Sequence, residues 1–150
     1  MKVAVCPKCS TGNRIAAGHD VGAAKCGKCG ATIFSGKPLD VDDAQLQQHL
    51  RLTKGAVLLD VWAPWCGPCR MMAPHFEDAA RQLEPDVRFL RRNADETTSG
   101  GALGVRGIPT LILFHNGKEI ARQAGAMTAH ALIAWTQQQL HAIPHMEKSA

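Results

Sequence analysis

The chain has 150 residues, 45% of them hydrophobic, a formal net charge of +4 and six cysteines; that suits one medium domain, or a domain of about 110 residues with a short appendage. No stretch approaches the roughly 18 apolar residues of a membrane span, and the opening Met1-Lys2-Val3-Ala4-Val5-Cys6 lacks the apolar core of a secretory signal. A cytoplasmic home is therefore expected, where thiols stay reduced, so three C-x-x-C pairs argue for metal ligation and redox turnover over a static disulfide framework.

Residues 1–37 carry Lys2, Lys8, Arg14, Lys25, Lys28 and Lys37 against Asp20, a net +5, which leaves −1 for the remainder. Within this basic segment, Cys6-Pro7-Lys8-Cys9 and Cys26-Gly27-Lys28-Cys29-Gly30 stand sixteen residues apart, a zinc-site spacing. Each pair can turn back on itself to offer two sulfurs, and four thiolates fill the closed tetrahedral shell that zinc accepts without redox chemistry. Gly27 and Gly30 ease the second turn. A segment of about 34 residues buries too little apolar surface to fold alone, so one structural Zn2+ on Cys6, Cys9, Cys26 and Cys29 is expected to supply its folding free energy. The lysines beside these ligands offset the negative charge of a four-thiolate site. With Phe34 the one aromatic in the segment and no long basic run, that compensation is favoured over nucleic-acid binding. His19, between the pairs, reads as a loop residue.

Residues 35–38 read as a linker, giving an expected organisation of a zinc-binding module over 1–34, a main domain over 39–142 and a tail over 143–150. In the main domain the pattern predicts a short strand near Leu39, a helix over about 42–52 with acidic residues in its first turn, and an apolar strand over 56–62. A helix carrying Met72, Phe76, Ala79, Ala80 and Leu83 follows, then a strand over 87–90 and a short helix near 97–103. A strand over 110–114, an Asn116-Gly117 turn, a strand over 118–122 and a helix capped by Thr128 complete the order. The alternation βαβαβαββα implies an α/β fold with a mixed sheet and helices on both faces. Gly100, Gly101 and Gly104 weaken the third helix, and they do not form a dinucleotide-binding fingerprint after a strand, so no nicotinamide site is expected.

Trp65-Cys66-Gly67-Pro68-Cys69 stands between the apolar strand and the helix. Without that context the cysteine pair could equally be half of a metal site or two buried thiols. At a helix start, unpaired backbone N–H groups and the helix dipole favour a thiolate, and disulfide exchange becomes the reading. Cys66, at the exposed helix start, is the expected nucleophile; Cys69, one turn along and more buried, is the expected resolving thiol. Gly67-Pro68 provides a rigid, uncharged linker between them. Asp60 interrupts the apolar run six residues before Cys66, where burial would raise its pKa unless it lies on a polar strand face.

These five residues, with Trp62-Ala63-Pro64, Asp60, Pro74, Gly107-Ile108-Pro109-Thr110 and Gly125-Ala126, resemble the thioredoxin family over roughly residues 38–140. Together with the four-cysteine segment, the chain is similar to the thioredoxin-2 type, which carries an N-terminal zinc-binding extension. The resemblance implies a thioredoxin fold, a cis bond before Pro109, and a shallow groove lined by Trp65, Ile108, Pro109, Gly125 and Ala126 for extended disulfide-containing protein substrates. It implies that Asp60 accepts a proton from Cys69, with Arg91 where the family has a lysine; arginine keeps its proton, so that partnership is expected to differ. Histidine replaces Pro68 in related oxidases, so the proline leans toward a reductase. A monomeric protein-disulfide reductase follows, recharged by a flavin-containing thioredoxin reductase drawing on NADPH, with no flavin or nicotinamide bound to this chain.

Trp62 is left between groove and core. His49, His75, His115, His130, His141 and His145 show no catalytic metal spacing and are expected on the surface or helix faces, with Met71 and Met72 packed behind the dithiol. Two competing readings remain at this level. In one, the zinc module binds nucleic acid or a protein partner while the main domain serves as scaffold or holdase; in the other, the zinc thiolates sense oxidation.

Overall fold

The computed structural model describes residues 2–16, 18, 20–96 and 103–143. At the N-terminus, β1 (Lys2–Val5) and β2 (Gly12–Ile15) pair antiparallel as a two-stranded sheet. Each cysteine pair then closes a tight turn: the Ser10 N–H donates to Cys6 O at 3.0 Å and the Gly30 N–H to Cys26 O at 2.8 Å. Both closing residues are left-handed, Ser10 at φ 63° and Gly30 at φ 78°. Glycine announces the second turn in the sequence; nothing announces the first. Ala4, Cys6, Ile15, Cys26, Ile33 and Phe34 form a small buried cluster around these turns.

The main sheet has five strands in the order β3-β5-β4-β6-β7, built from β3 (Leu39–Asp40), β4 (Ala56–Trp62), β5 (Val87–Asn93), β6 (Thr110–His115) and β7 (Lys118–Ala124). The first three are mutually parallel, and β6 runs antiparallel to its neighbours β4 and β7. Helix α1 (Asp43–Leu52) begins at a capping box in which Asp42 accepts from the Gln45 N–H and the Gln45 side chain accepts from the Asp42 N–H. Helices α2 (Gly67–Leu83) and α3 (Ala129–His141) follow, the latter capped by Thr128 as the sequence predicts. Alternation along β4 divides the core. Ala56 and Leu58 pack with Met72, Phe76, Ala79 and Leu83 of α2 and Leu132 of α3; Val57, Leu59 and Val61 pack with Val41, Leu46, Leu90 and Ile112 on the other face.

The fold is the expected mixed sheet flanked by helices, with some local differences. Strand β5 runs to Asn93, beyond 90, because its arginines find partners and stay in the ladder. After it the chain turns through a short 3-10 segment, Ala94–Glu96; of the helix expected over 97–103, residues 97–102 lie outside those described. Met72 is buried, but Met71 projects outward, 72% exposed, because it falls on the solvent face of α2. His49 is buried, not on the surface, since the N-terminal segment lies over its side of α1. His75, His130 and His141 are exposed as expected, and His145 lies outside the described residues.

That N-terminal segment is bolted to the main sheet. Val3 bridges Lys54, and the Gln48 side chain donates to Ser10 O at 3.1 Å. Arg88 of β5, almost wholly buried, donates to Val5 O at 3.0 Å, lies 4.2 Å from the Phe34 ring and sits 3.6 Å from the equally buried Glu84. Glu84 in turn accepts from the N–H groups of Gly36 and Phe89. At the sheet's margins, β3 is two residues long, while β7 exposes Lys118, Glu119, Arg122 and Gln123 and joins β6 with a register shift at Leu113/Phe114. Among the described residues no helix is long and apolar enough to cross a membrane.

Candidate functional site

Strand β4 ends at Trp62, the chain turns through Ala63-Pro64-Trp65, and Cys66 becomes the N-cap of α2, with Pro68 in the first helical turn where no intrahelical donor is lost. Cys66 and Cys69 form a disulfide, their Cα atoms 5.2 Å apart. The Cys69 N–H points at Cys66 Sγ from 3.2 Å, so one of the helix's unpaired donors is aimed at the sulfur that would carry charge once reduced. Cys69 is the deeper of the two. Cys66 is nearly covered as well, contrary to an exposed helix start, because Ala63, Trp62 and Ile108 pack around the pair.

Ile108–Pro109 is a cis peptide bond, as the family resemblance implies, and Ile108 O lies 3.8 Å from Cys66 Sγ. The Gly125 N–H donates to Pro109 O at 2.9 Å, tying the segment after β7 to this loop; Gly125 has φ 96°, a backbone that favours glycine. Gly125 and Ala126 are exposed beside it, and Trp65 is 68% exposed. The structure thus brings Trp65, Cys66, Ile108, Pro109 and Gly125 to one end of the sheet. The Trp65 Nε1 donates to both oxygens of Asp95, at 3.1 and 3.0 Å. Asp95 was not visible as a site residue in the sequence, since its tie to Trp65 spans thirty positions.

Asp60 lies in the middle of β4, fully buried, on the strand face that carries Ala56 and Leu58 toward α2. Neither carboxyl oxygen has a hydrogen-bond partner among the described residues. Burial pushes its pKa up to about 7, with Arg91, whose Nε is 3.9 Å away, pulling the other way. Arg91 lies 4.1 Å from the Trp62 ring, so Trp62 belongs partly to the support of this charge and partly to the packing around the disulfide. A carboxyl with a pKa near 7, on the sheet face that α2 covers, is suited to proton exchange.

At the other site, the sulfurs of Cys6, Cys9, Cys26 and Cys29 all lie within 4.8 Å of one another. Cys6 to Cys29 and Cys9 to Cys26 are each 3.6 Å, close to the separation of about 3.8 Å that four sulfurs at 2.3 Å from one tetrahedral ion require. Backbone N–H groups of Lys8, Cys9 and Lys28 point at these sulfurs, and the Asn13 side chain donates to Cys26 Sγ at 3.5 Å while accepting from the Gly27 N–H. Asn13 is a supporting residue that spacing rules could not find. The Cys29 backbone N–H, with Asn13 and Lys28 and against burial, brings the Cys26 thiol down to about 6. Cys29 goes the other way, to about 11: the Ala31 N–H lowers it, but burial and the neighbouring sulfurs outweigh that. Four thiolates this close repel, and a divalent cation lets all four ionise. The residues therefore fit a metal ion. Phe34 is buried against Arg88, leaving the described part of this segment without an exposed aromatic for base stacking.

Residues 37–138 match the family model described as Thioredoxin. "Thioredoxin C-3" of Corynebacterium nephridii is 34% identical over 139 residues, spanning 92% of this chain and 95% of the relative, a match long enough to run into the N-terminal cysteine segment. "Thioredoxin" of Pseudomonas aeruginosa is 40% identical over 98 residues, 65% of this chain and 91% of the relative. Among solved structures, a mutant thioredoxin from Halobacterium salinarum is similar with a TM-score of 0.65 at 31% identity, over 76% of this chain and 100% of that one.

Proposed function

The chain belongs to the thioredoxin family and is a protein-disulfide reductase, and from that premise we propose the course of its reaction and the role of its four-cysteine cluster. The Cys66 thiolate attacks one sulfur of a protein disulfide, forming a mixed disulfide and releasing the other substrate sulfur as a thiolate. Cys69 gives its proton to Asp60 and attacks Cys66 Sγ; the Cys66–Cys69 disulfide forms and the second substrate sulfur leaves. Two electrons pass from the dithiol to the substrate. Asp60 suits the proton step because its pKa of about 7 lets it take and return a proton near neutral pH. Arg91 holds charge beside it without acting as a donor.

An extended substrate segment would lie across Trp65, Ile108, Pro109, Gly125 and Ala126, pairing with the Ile108 backbone. The observation that carries this reading is the placement of the Cys66–Cys69 pair at the start of α2 against the Ile108–Pro109 loop. A flavin-containing thioredoxin reductase drawing on NADPH returns the pair to the dithiol, in the cytoplasm, acting on a monomer.

Cys6, Cys9, Cys26 and Cys29 would hold one Zn2+, which supplies a redox-inert tetrahedral clamp for a module over 1–34, ahead of a linker at 35–38 and a catalytic domain over 39–142. Replacing Cys69 with serine tests the order of attack: covalent substrate adducts should accumulate on Cys66, read by mass spectrometry after tryptic digestion. Adducts on the remaining cysteine of Cys66→Ser instead, with none in Cys69→Ser, would reverse the assignment.

A further inference from the structure

Asp40, Arg91 and Asp60 lie in one lateral row across three strands. Asp40 of β3 is in register with Arg91 of β5, and Arg91 in register with Asp60 of β4. Side chains in register on parallel strands project to the same face, so the guanidinium stands between two carboxylates, one at the surface and one in the core. The distances place it evenly: Nη1 is 3.7 Å from Asp40 Oδ1, and Nε is 3.9 Å from Asp60 Oδ2. Neither is a closed, hydrogen-bonded pair. Stacking on the Trp62 ring at 4.1 Å holds the guanidinium in this intermediate position.

We propose that Asp40 is a positioning residue for the redox reaction: by sharing Arg91 with Asp60, it keeps the guanidinium from closing on the buried carboxyl and leaves that carboxyl able to exchange a proton. The proposal rests on the reading of Asp60 as the proton acceptor for Cys69. A bidentate Arg91–Asp60 pair would hold the carboxylate ionised and too weak a base to accept from a thiol. With no guanidinium nearby, desolvation alone would keep the carboxyl protonated well above neutrality, and it could accept nothing. The useful setting lies between, and Asp40 is the group that divides the cation. Its own charge acts on Asp60 only weakly through space, because its side chain is 76% exposed and water screens it; its leverage runs through Arg91.

Other charged groups border the same cleft. Lys37 from the linker and Glu77 and Arg81 from α2 line it with Asp40 and Arg91. Arg81 is paired with Asp78 at 2.9 Å, and Glu77 is exposed. Glu77 is therefore the control for a generic loss of negative charge near Arg91.

The test is titration of the Asp60 side-chain carboxyl by carbon NMR in the oxidised, full-length protein, for the parent, Asp40→Asn, Asp40→Glu, Glu77→Gln, Arg91→Met and the Arg91→Met/Asp40→Asn pair. Loss of the Asp40 charge and closure of Arg91 on Asp60 act in the same direction, so Asp40→Asn should lower the midpoint by about one pH unit. The pH profile of mixed-disulfide resolution should move with it. Asp40→Glu and Glu77→Gln should keep the parent midpoint, and Asp40→Asn should change nothing once Arg91 is methionine. An unmoved or raised midpoint in Asp40→Asn, an equal fall in Glu77→Gln, or the same fall in the Arg91→Met background overturns the proposal. The proton-acceptor reading stands or falls separately, on whether Asp60→Ala resolves mixed disulfides as fast as the parent.

Discussion

Two buried titratable residues set opposite pH dependences for stability. The folded-state pKa of Asp60, about 7, is raised above its ordinary value of 3.8, so the unfolded chain loses this proton first and stability falls as pH rises from about 4 to about 7. Burial, aided by Arg88, lowers His49 from 6.5 to about 4, so its contribution is present above 6.5 and is lost as pH falls toward 4. Across the shared window the two slopes offset each other. Asp60→Asn should therefore gain stability over the parent at pH 8, by up to about 4 kcal/mol, with the gap closing toward pH 4. His49→Gln should instead show stability that declines as pH rises. Urea unfolding at several pH values reads both slopes. At this scale the sequence shows Asp60 clearly, because a carboxylate interrupts an apolar run. It hides Asp40, Asp95, Ser10 and Asn13, whose roles come respectively from strand register, from a contact thirty residues away, from a left-handed turn that nothing local demands, and from a contact thirteen residues away.

Elements were legible wherever the pattern was local. The capped starts of α1 and α3, the buried run of β4 and the Asn116-Gly117 turn all carry their own punctuation. That turn also does more than reverse the chain. Asn116 Oδ1 accepts from the Gly55 N–H at 2.8 Å, and Asn116 and Gly117 both take positive φ. A Cβ on Gly117 would meet Leu50 O at 2.5 Å, at the end of α1. Gly117→Ala should thus destabilise the fold by roughly 1–3 kcal/mol, seen as a lower urea midpoint with an unchanged slope. Strand β5 shows the limit of pattern reading. Arg88 and Arg92 share one strand face, where nothing in the residue type signals burial, yet both are buried, the first beneath the N-terminal segment and the second against Asp43 and the Val41 carbonyl.

For the whole molecule, Arg88 decides whether the two parts behave as one. It satisfies Val5 O, stacks on Phe34 and is the cation beside buried Glu84. Arg88→Ala should cost about 3–5 kcal/mol, since it leaves a carboxylate buried without its partner, whereas Arg88→Met with Glu84→Gln should recover much of the loss. With Zn2+ held by the four cysteines as proposed, chelation should lower the thermal midpoint of the full chain within a single transition, followed by calorimetry. Two separate transitions would show that the cysteine segment unfolds by itself. Cysteine spacing pointed to the four-sulfur cluster, and the element pattern with the family resemblance to the main fold, but neither indicates this contact, which joins residues more than eighty positions apart.

The margins of the five-stranded sheet carry a consequence for how the protein behaves when crowded with copies of itself. One border offers only Leu39 and Asp40, too short to template a neighbour, and the other is lined with Lys118, Glu119, Arg122 and Gln123 and twisted by the irregularity at Leu113/Phe114. Backbone-to-backbone recruitment of a foreign strand is disfavoured on both sides, so copies meeting flank to flank have little means of growing a shared sheet into fibrils.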